Sequence, residues 1–250
     1  KRFHELVQRR LRHEPVQYLL GWEEFRGLRL RITPTVLIPR PETELLVAWA
    51  LELLPQLWAA GEGREAVGGA GAATPGCPPL VVDLGTGSGA IALALADACP
   101  GLTIYGVDRA SGAVALAREN AIALGLAARV QFLEGDLYDP LGSLAGAVDL
   151  IISNPPYIPS GALPGLPAEV RDFEPLQALD GGPEGVALLE KIIAGAPGFL
   201  RPGGWLLLEM GEGHSDRLSR LLKEAGFQKI QVRTDLGGVE RMIGAKGGSP

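Results

Sequence analysis

The sequence predicts an α/β fold in which a mostly parallel sheet is covered by helices on both faces. Three observations point to it. From Leu80 onward, short apolar runs alternate with longer stretches of helical spacing, the pattern left by successive strand-to-helix crossovers. A glycine-rich turn, Asp83-Leu84-Gly85-Thr86-Gly87-Ser88-Gly89, separates the first run from the helix after it. Two strand-like stretches of the tail, Lys229 to Val232 and Arg241 to Ala245, lie close enough to pair antiparallel.

In chain order, Phe3, Leu6, Val7 and Leu11 form one apolar helix face, and Pro15 is placed to start a second short helix. Glu23 to Ile38 reads as two strands around Gly27, with Phe25, Leu28, Leu30 and Ile32 giving the alternating trace of a hairpin. Glu42 to Trp58 is amphipathic, and Pro41 sits where a first helical position tolerates a missing amide hydrogen. Ala59 to Pro79 has no apolar period and is dominated by Gly, Ala and Pro, as a flexible insertion would be. Strands are then expected at Leu80 to Leu84, Leu102 to Val107, Val130 to Leu133, Val148 to Ser153 and Trp205 to Met210. Helices are expected at Ala90 to Ala98, Ala113 to Leu124, Gly185 to Leu200 and Ser215 to Ala225. Ligands of such sheets bind beyond the carboxyl ends of the strands.

Composition narrows the classes of function. With 250 residues, nearly half of them apolar, the chain can bury a large core without disulfides or a structural metal. Cys77 and Cys99 are its only cysteines; they form no disulfide framework or zinc site and suit a reducing cytosol. No apolar run approaches the roughly 20 residues that span a bilayer. The chain opens on Lys1 rather than Met, which leaves a preceding segment open. A net charge of −6 argues against extended non-specific binding to nucleic acid. Arg9, Arg10, Arg12, Arg26, Arg29 and Arg31 nevertheless crowd the start. They read either as a solvated helix face and hairpin edge or as a patch for RNA or an acidic partner.

The glycine turn permits a ligand to approach backbone amides at a helix N-terminus. With Ala90 it also satisfies the looser dinucleotide pattern, and Asp108 lies at a distance suited to a ribose hydroxyl. Asp83 tilts the balance away from a dinucleotide, because a carboxylate repels pyrophosphate but accepts from the ammonium of a methionine moiety. Asp136, in Gly135-Asp136-Leu137 after the third strand, can accept from an adenine amino group while Leu137 covers the ring. These features suit S-adenosylmethionine.

Ile151-Ile152-Ser153-Asn154-Pro155-Pro156-Tyr157 ends the fourth strand and carries the chemistry. An amide nitrogen is a poor nucleophile because its lone pair is delocalised into the carbonyl. Asn154 Oδ1 and the Pro155 carbonyl can each accept one hydrogen of an NH2 group, which orients it, favours loss of planarity and disperses the developing charge. Pro155 and Pro156 stiffen the loop, and Tyr157 offers a face to a planar group. Without a strong base this motif fits a glutamine amide or an exocyclic amino group of a nucleobase. The three histidines, His4, His13 and His214, are expected near neither motif, which leaves a histidine-based nucleophilic mechanism unsupported.

With these residues in place, the chain resembles the release factor glutamine methyltransferase family, PrmC or HemK. The most telling segments are Glu14 to Tyr18, Leu37 to Glu44, Asp83 to Gly89, Asn154 to Tyr157 and Val170 to Pro175. The resemblance implies a class I S-adenosylmethionine-dependent methyltransferase fold, Rossmann-like and doubly wound with an antiparallel C-terminal strand. It implies residues 1–21 as the end of a helical substrate-recognition domain, 22–40 as a hairpin linker and 41–250 as the methyltransferase domain, with the insertion at 59–79. The implied reaction moves a methyl group from S-adenosyl-L-methionine to the glutamine of the Gly-Gly-Gln motif in peptide chain release factors. The cofactor contacts implied are Gly85, Thr86, Gly87, Ser88, Gly89, Asp108, Leu137 and Asn154, beside the Asp83 and Asp136 read above, with Pro39, Arg40 and Thr43 either closing the methionine end or forming an ordinary hairpin-to-helix junction. Asn154 and Pro155 would be catalytic, and Asn154, Pro155, Pro156 and Tyr157 would hold the glutamine. A cytoplasmic monomer is expected, with no metal, membrane or direct nucleic-acid substrate. The alternatives are another protein glutamine, as in a ribosomal protein, or a nucleobase amino group. Ser160 to Gly182 is either part of the protein-substrate surface or an ordinary long loop.

Overall fold

Residues 2–59 and 78–248 are described by the computed structural model, and the elements follow the apolar periodicity closely. The N-terminal pair of helices is α1 (Arg2–Arg10) and α2 (Val16–Leu20), with Pro15 just outside α2 in extended conformation. Next come β1 (Trp22–Phe25) and β2 (Leu28–Arg31), which pair antiparallel with Phe25 opposite Leu28. Their loop is only Arg26-Gly27, and both residues have positive φ, 49° and 78°, as a two-residue turn between twisted strands requires.

The second expected strand stops at Arg31 instead of running to Ile38. Pro34 and Pro39 lack the amide hydrogen a ladder needs, and the Val36 N–H turns back to the Thr33 carbonyl. Residues 32–40 therefore form an irregular strap before α3 (Pro41–Ala59). On α3, Thr43, Leu46, Val47, Ala50, Leu54 and Leu57 make one buried stripe.

The main sheet contains β3 (Leu80–Leu84), β4 (Thr103–Asp108), β5 (Val130–Glu134), β6 (Val148–Ser153) and β7 (Leu200–Glu209), all parallel. β9 (Glu240–Lys246) joins β7 antiparallel, and β8 (Gln228–Thr234) forms the outer edge beside β9. The spatial order is β5-β4-β3-β6-β7-β9-β8. The tail strands do pair with each other, but the later one reaches the sheet first. Between the strands run α4 (Ala90–Ala98), α5 (Ser111–Ala123), α7 (Ala187–Phe199) and α8 (Ser215–Glu224), together with a short helix, α6 (Ala168–Arg171).

Side chains of β3 and β6 alternate between two apolar cores. Val81, Leu150 and Ile152 join Trp49, Leu93 and Phe132 on one face; Leu80, Val82, Leu84 and Ile151 join Leu141, Leu189 and Leu222 on the other. Every residue of both strands is buried, as central strands covered on two faces must be. The strand order reverses between β3 and β6, and Leu84 stands level with Ser153. The glycine turn and Asn154 thus leave the sheet side by side, at the crevice such a reversal creates.

Several of the N-terminal arginines are engaged within the protein. Arg9 pairs with Glu14, Arg10 with Glu169 and Arg31 with Glu119, while Arg29 lies over the Trp22 ring. Residues 60–77 of the insertion, Cys77 included, lie outside the described residues. Among the described residues, no helix is long and apolar enough to cross a membrane.

Candidate active site

The glycine turn is built by backbone hydrogen bonds and by positive φ. Gly85 and Thr86 donate their amides to the Val107 carbonyl at 2.8 and 3.0 Å, and the Gly87 amide donates to Asp108 Oδ2 at 3.0 Å. Gly85, Gly87 and Gly89 have φ of 73°, 56° and 84°. A Cβ on Gly85 or Gly87 would meet nothing within 4 Å, but one on Gly89 would press on Leu93, Phe132 and Ala117. The first two glycines therefore set the shape of an open wall, and the third seats α4 against the core.

That wall borders a cavity also lined by Ser88, Asp108, Asp136, Leu137, Pro39, Thr43 and Asn154. Leu137 has φ 47°, a conformation that costs a non-glycine residue roughly 1–2 kcal/mol and presents it to the cavity. Asp83 does not line this cavity. It is fully buried behind the turn, accepts from Thr86 Oγ1 at 2.7 Å, and leaves Oδ1 without a partner. Burial pushes its carboxyl up to about 7, against the pull of the Thr86 hydroxyl. Gly89 is likewise absent from the lining.

A second cavity lies on the far side of Asn154. Pro155, Pro156, Tyr157, Ile158, Arg40 and Val170 line it, and Asn154, Pro156, Leu37 and Ala178 border both cavities. The residues singled out around Asn-Pro-Pro-Tyr are thus together, and Arg40 faces this side rather than the first. The strap alternates, with Pro39 and Thr43 on one cavity and Arg40 and Glu42 on the other.

Asn154 is held by a chain of hydrogen bonds drawn from three places in the sequence. Its Nδ2 donates to Thr43 Oγ1 at 2.9 Å; Thr43 donates to Glu209 Oε2 at 2.7 Å; Tyr157 donates to Glu209 Oε1 at 3.1 Å. Glu209 is fully buried, and that burial pushes its carboxyl up to about 7. Burial, with the neighbouring Glu209 charge, also raises the Tyr157 phenol above its ordinary range.

The segment after Tyr157 is no plain loop. Short 3₁₀ turns and α6 fold it over both cavities, where Leu166, Val170 and Leu179 border one and Pro175 and Gln177 the other. It is fastened by Glu174, which accepts from Arg40 Nη2 at 2.5 Å and from the Ile38 amide at 3.2 Å. From below, Tyr18 donates to the Val36 carbonyl at 2.8 Å.

Sequence reasoning missed Glu209 and Asn120, and it named Arg40 and the segment holding Glu174 without pairing them. Asn120 accepts from the Arg31 amide and donates to the carbonyls of Arg31 and Ser88, tying hairpin, α5 and glycine turn together. No local pattern marks these positions; an acidic or amide residue inside an otherwise apolar run was the available signal. His214 needs a correction, since it and Tyr157 both border Gly185 and Gly211. It lines neither cavity, so it offers no nucleophile to the site.

Two adjoining cavities that share Asn154, Pro156, Leu37 and Ala178 lie beyond the ends of a reversed parallel sheet, an arrangement that suits a methyltransferase, with one cavity for the donor and one for the acceptor. Residues 78–163 match the family described as Methyltransferase small domain, and residues 1–21 match the PrmC N-terminal domain. A release factor glutamine methyltransferase of Geobacter sulfurreducens is 42% identical, covering 96% of this chain and 76% of that protein. Its counterpart from Moorella thermoacetica is 43% identical, over 96% and 77%. The human MTRF1L release factor glutamine methyltransferase is 37% identical, over 98% and 71%. Among solved structures, the T. thermophilus 16S rRNA N2 G1207 methyltransferase aligns with a TM-score of 0.60 at 22% identity, over 90% of this chain and 49% of that one. At that identity it reports the fold. The chain belongs to the release factor glutamine methyltransferase family.

Proposed function

We infer that this protein transfers a methyl group from S-adenosyl-L-methionine to the side-chain amide nitrogen of the glutamine in the Gly-Gly-Gln motif of peptide chain release factors. The observation that carries the reading is the position of Asn154 in the wall shared by the two cavities. A cofactor on the Asp108 side and an amide on the Tyr157 side would meet there.

The first cavity suits the cofactor chemically. Gly85 and Gly87 leave the wall free of side chains, the Asp108 and Asp136 carboxylates can accept from ribose hydroxyls and an amino-purine, and Leu137 supplies apolar cover. Asp83 acts on this site indirectly, by holding Thr86. When bound, S-adenosylmethionine supplies an electrophilic methyl group on a sulfonium centre.

The protein's own part is orientation. With Nδ2 committed to Thr43, Asn154 has Oδ1 to accept one N–H of the glutamine, and the Pro155 carbonyl can take the other. Two acceptors pull the NH2 group out of conjugation and share the positive charge that grows on nitrogen. The proton is lost after transfer, when it has become acidic, so no strong base is required. Pro155, Pro156 and Tyr157 pack the amide plane, and the Ser160 to Gly182 segment bounds the approach of the protein acceptor.

Labelled S-adenosylmethionine and a release factor, incubated with the enzyme, should place label on that glutamine and not on a factor carrying Gln→Ala there. Label on RNA or DNA with none on the factor would instead establish the nucleobase reading, which the same tetrapeptide could serve with a flipped base.

A further inference from the structure

We propose that Glu209 is a positioning residue for methyl transfer: through Thr43 it dictates which end of the Asn154 amide faces the acceptor nitrogen. The proposal rests on the reading that Asn154 holds that nitrogen. An asparagine amide has a donor end and an acceptor end of nearly equal size, and a half-turn about its last bond exchanges them. Only Oδ1 can accept an N–H from the substrate. The wrong rotamer would present an NH2 group to an NH2 group and leave the nucleophile unaligned.

The hydrogen-bond chain removes this ambiguity. An ionised carboxylate only accepts, so the single hydroxyl hydrogen of Thr43 goes to Glu209 Oε2 at 2.7 Å. Thr43 Oγ1 then has only lone pairs to offer at 2.9 Å, and Asn154 must answer with Nδ2. Tyr157 occupies the other carboxylate oxygen. Thr43 is 4% exposed and Glu209 0%, so no bulk water takes the place of either partner. The polarity of the whole chain therefore follows from one charge, on β7, that touches neither cavity.

Protonation of Glu209 permits the reverse chain. The acid would donate to Thr43, Thr43 to Asn154 Oδ1, and NH2 would turn towards the acceptor. The groups facing Glu209 are Thr43 and Glu42 on α3, Tyr157 after β6 and Arg241 on β9. Burial and Glu42 favour the proton, while Thr43, Tyr157 and Arg241 oppose it. Methyl transfer should therefore gain rate as pH rises through the neutral range.

The test combines kinetics with a measurement that needs no turnover. Thr43→Val keeps the shape and removes the hydroxyl; kcat should fall on the order of 100-fold, well beyond any change in the KM for the release factor or in the affinity for S-adenosylmethionine, whose cavity Thr43 also lines. Thr43→Ser should recover most of that loss, and the acid limb of the wild-type pH profile should be absent from Thr43→Val. By NMR of the enzyme without acceptor, one Asn154 side-chain proton should be protected from exchange in the wild type and lose protection in Thr43→Val. A wild-type kcat for Thr43→Val, a loss confined to cofactor affinity, or a freely exchanging Asn154 amide in the wild type would each overturn the proposal. If the protected amide is found but the enzyme labels a different acceptor, the kinetic arm is run on that acceptor, and only the release-factor reading falls.

Discussion

The two walls that meet at Asn154 are built on different principles. The glycine-turn wall is made of backbone from one continuous stretch, and its shape comes from φ angles that few residues other than glycine adopt. The Asn154 wall is made of side chains, and its geometry comes from Thr43, Tyr157 and Glu209 reaching it from separate elements. A backbone wall tolerates change outside its own stretch, whereas a side-chain wall can be disabled from 55 residues away, the sequence interval between Asn154 and Glu209. This distinction gives four expectations, in falling order of effect.

Asn154→Ala removes both the acceptor oxygen and the end of the hydrogen-bond chain. Methyl transfer should drop about 100- to 1000-fold, the usual cost of losing one preorganised hydrogen-bonding group at a reacting centre. If the cofactor lies against Gly85 to Ser88, Asp108 and Asp136, as proposed, its affinity should fall far less. Single-turnover rates set beside calorimetric cofactor binding make the comparison. Equal losses in both would mean that the two walls are not separable.

The clamp between strap and covering segment tests how a side-chain wall fails. The Glu174 side chain is 1% exposed and that of Arg40 30%. Removing arginine strands a buried carboxylate, while removing glutamate frees a cation that can still reach water. Arg40→Met should therefore cost the larger amount, about 3 kcal/mol, and Glu174→Gln clearly less. Urea unfolding measures both, and the opposite order would show that the Ile38 amide, not Arg40, is the important partner of Glu174.

The helix and strand order was legible because each element has its own period, and most boundaries fell within a few residues. The hairpin's second strand was overdrawn because alternation persists through Ile32, while the prolines that break the ladder act on backbone donors that a hydrophobic pattern does not register. In the site, contiguity decided what could be read. Asp83 to Gly89 and Asn154 to Tyr157 stand out because their residues are adjacent. Glu209 sits at the end of Trp205 to Glu209, an apolar strand that gives no hint of Thr43 packed against it. Asp83 was legible as important but misplaced, since a carboxylate beside a glycine turn can face the ligand or lie behind the turn, and only the packing of α4 decides.

The two buried carboxylates give a pH signature. Asp83 is raised from 3.8 to about 7 and Glu209 from 4.5 to about 7. A folded state that binds a proton more tightly than the unfolded chain is favoured below the unfolded value and loses that advantage as pH rises through the folded one. Each group should therefore lower stability on the order of 1–3 kcal/mol between about pH 4 and pH 8. Asp83→Asn removes one of these dependences, so its denaturation midpoint should gain on the wild type at pH 8 relative to pH 5. A gap that does not change with pH would mean that Asp83 stays ionised throughout.

The smallest effect separates the glycines of the backbone wall. Gly85→Ala places a Cβ in open space, so its penalty is the strain of a left-handed alanine, roughly 1 kcal/mol. Gly106→Ala, on β4, has no positive φ, but its Cβ would lie 2.5 Å from Phe132 and 2.8 Å from Thr86 Oγ1. Here the cost comes from overpacking, of order 1–3 kcal/mol, and it is transmitted to the turn through Thr86, which Asp83 also holds. Gly85→Ala should therefore weaken cofactor binding more than it lowers the melting temperature, because the new methyl group enters the wall itself. Gly106→Ala should do the reverse. Thermal unfolding with and without S-adenosylmethionine reads both quantities, and the ligand-induced rise should shrink more for Gly85→Ala. If Gly106→Ala loses the larger ligand-induced rise, the cavity wall depends on side-chain packing behind the turn as well as on its backbone.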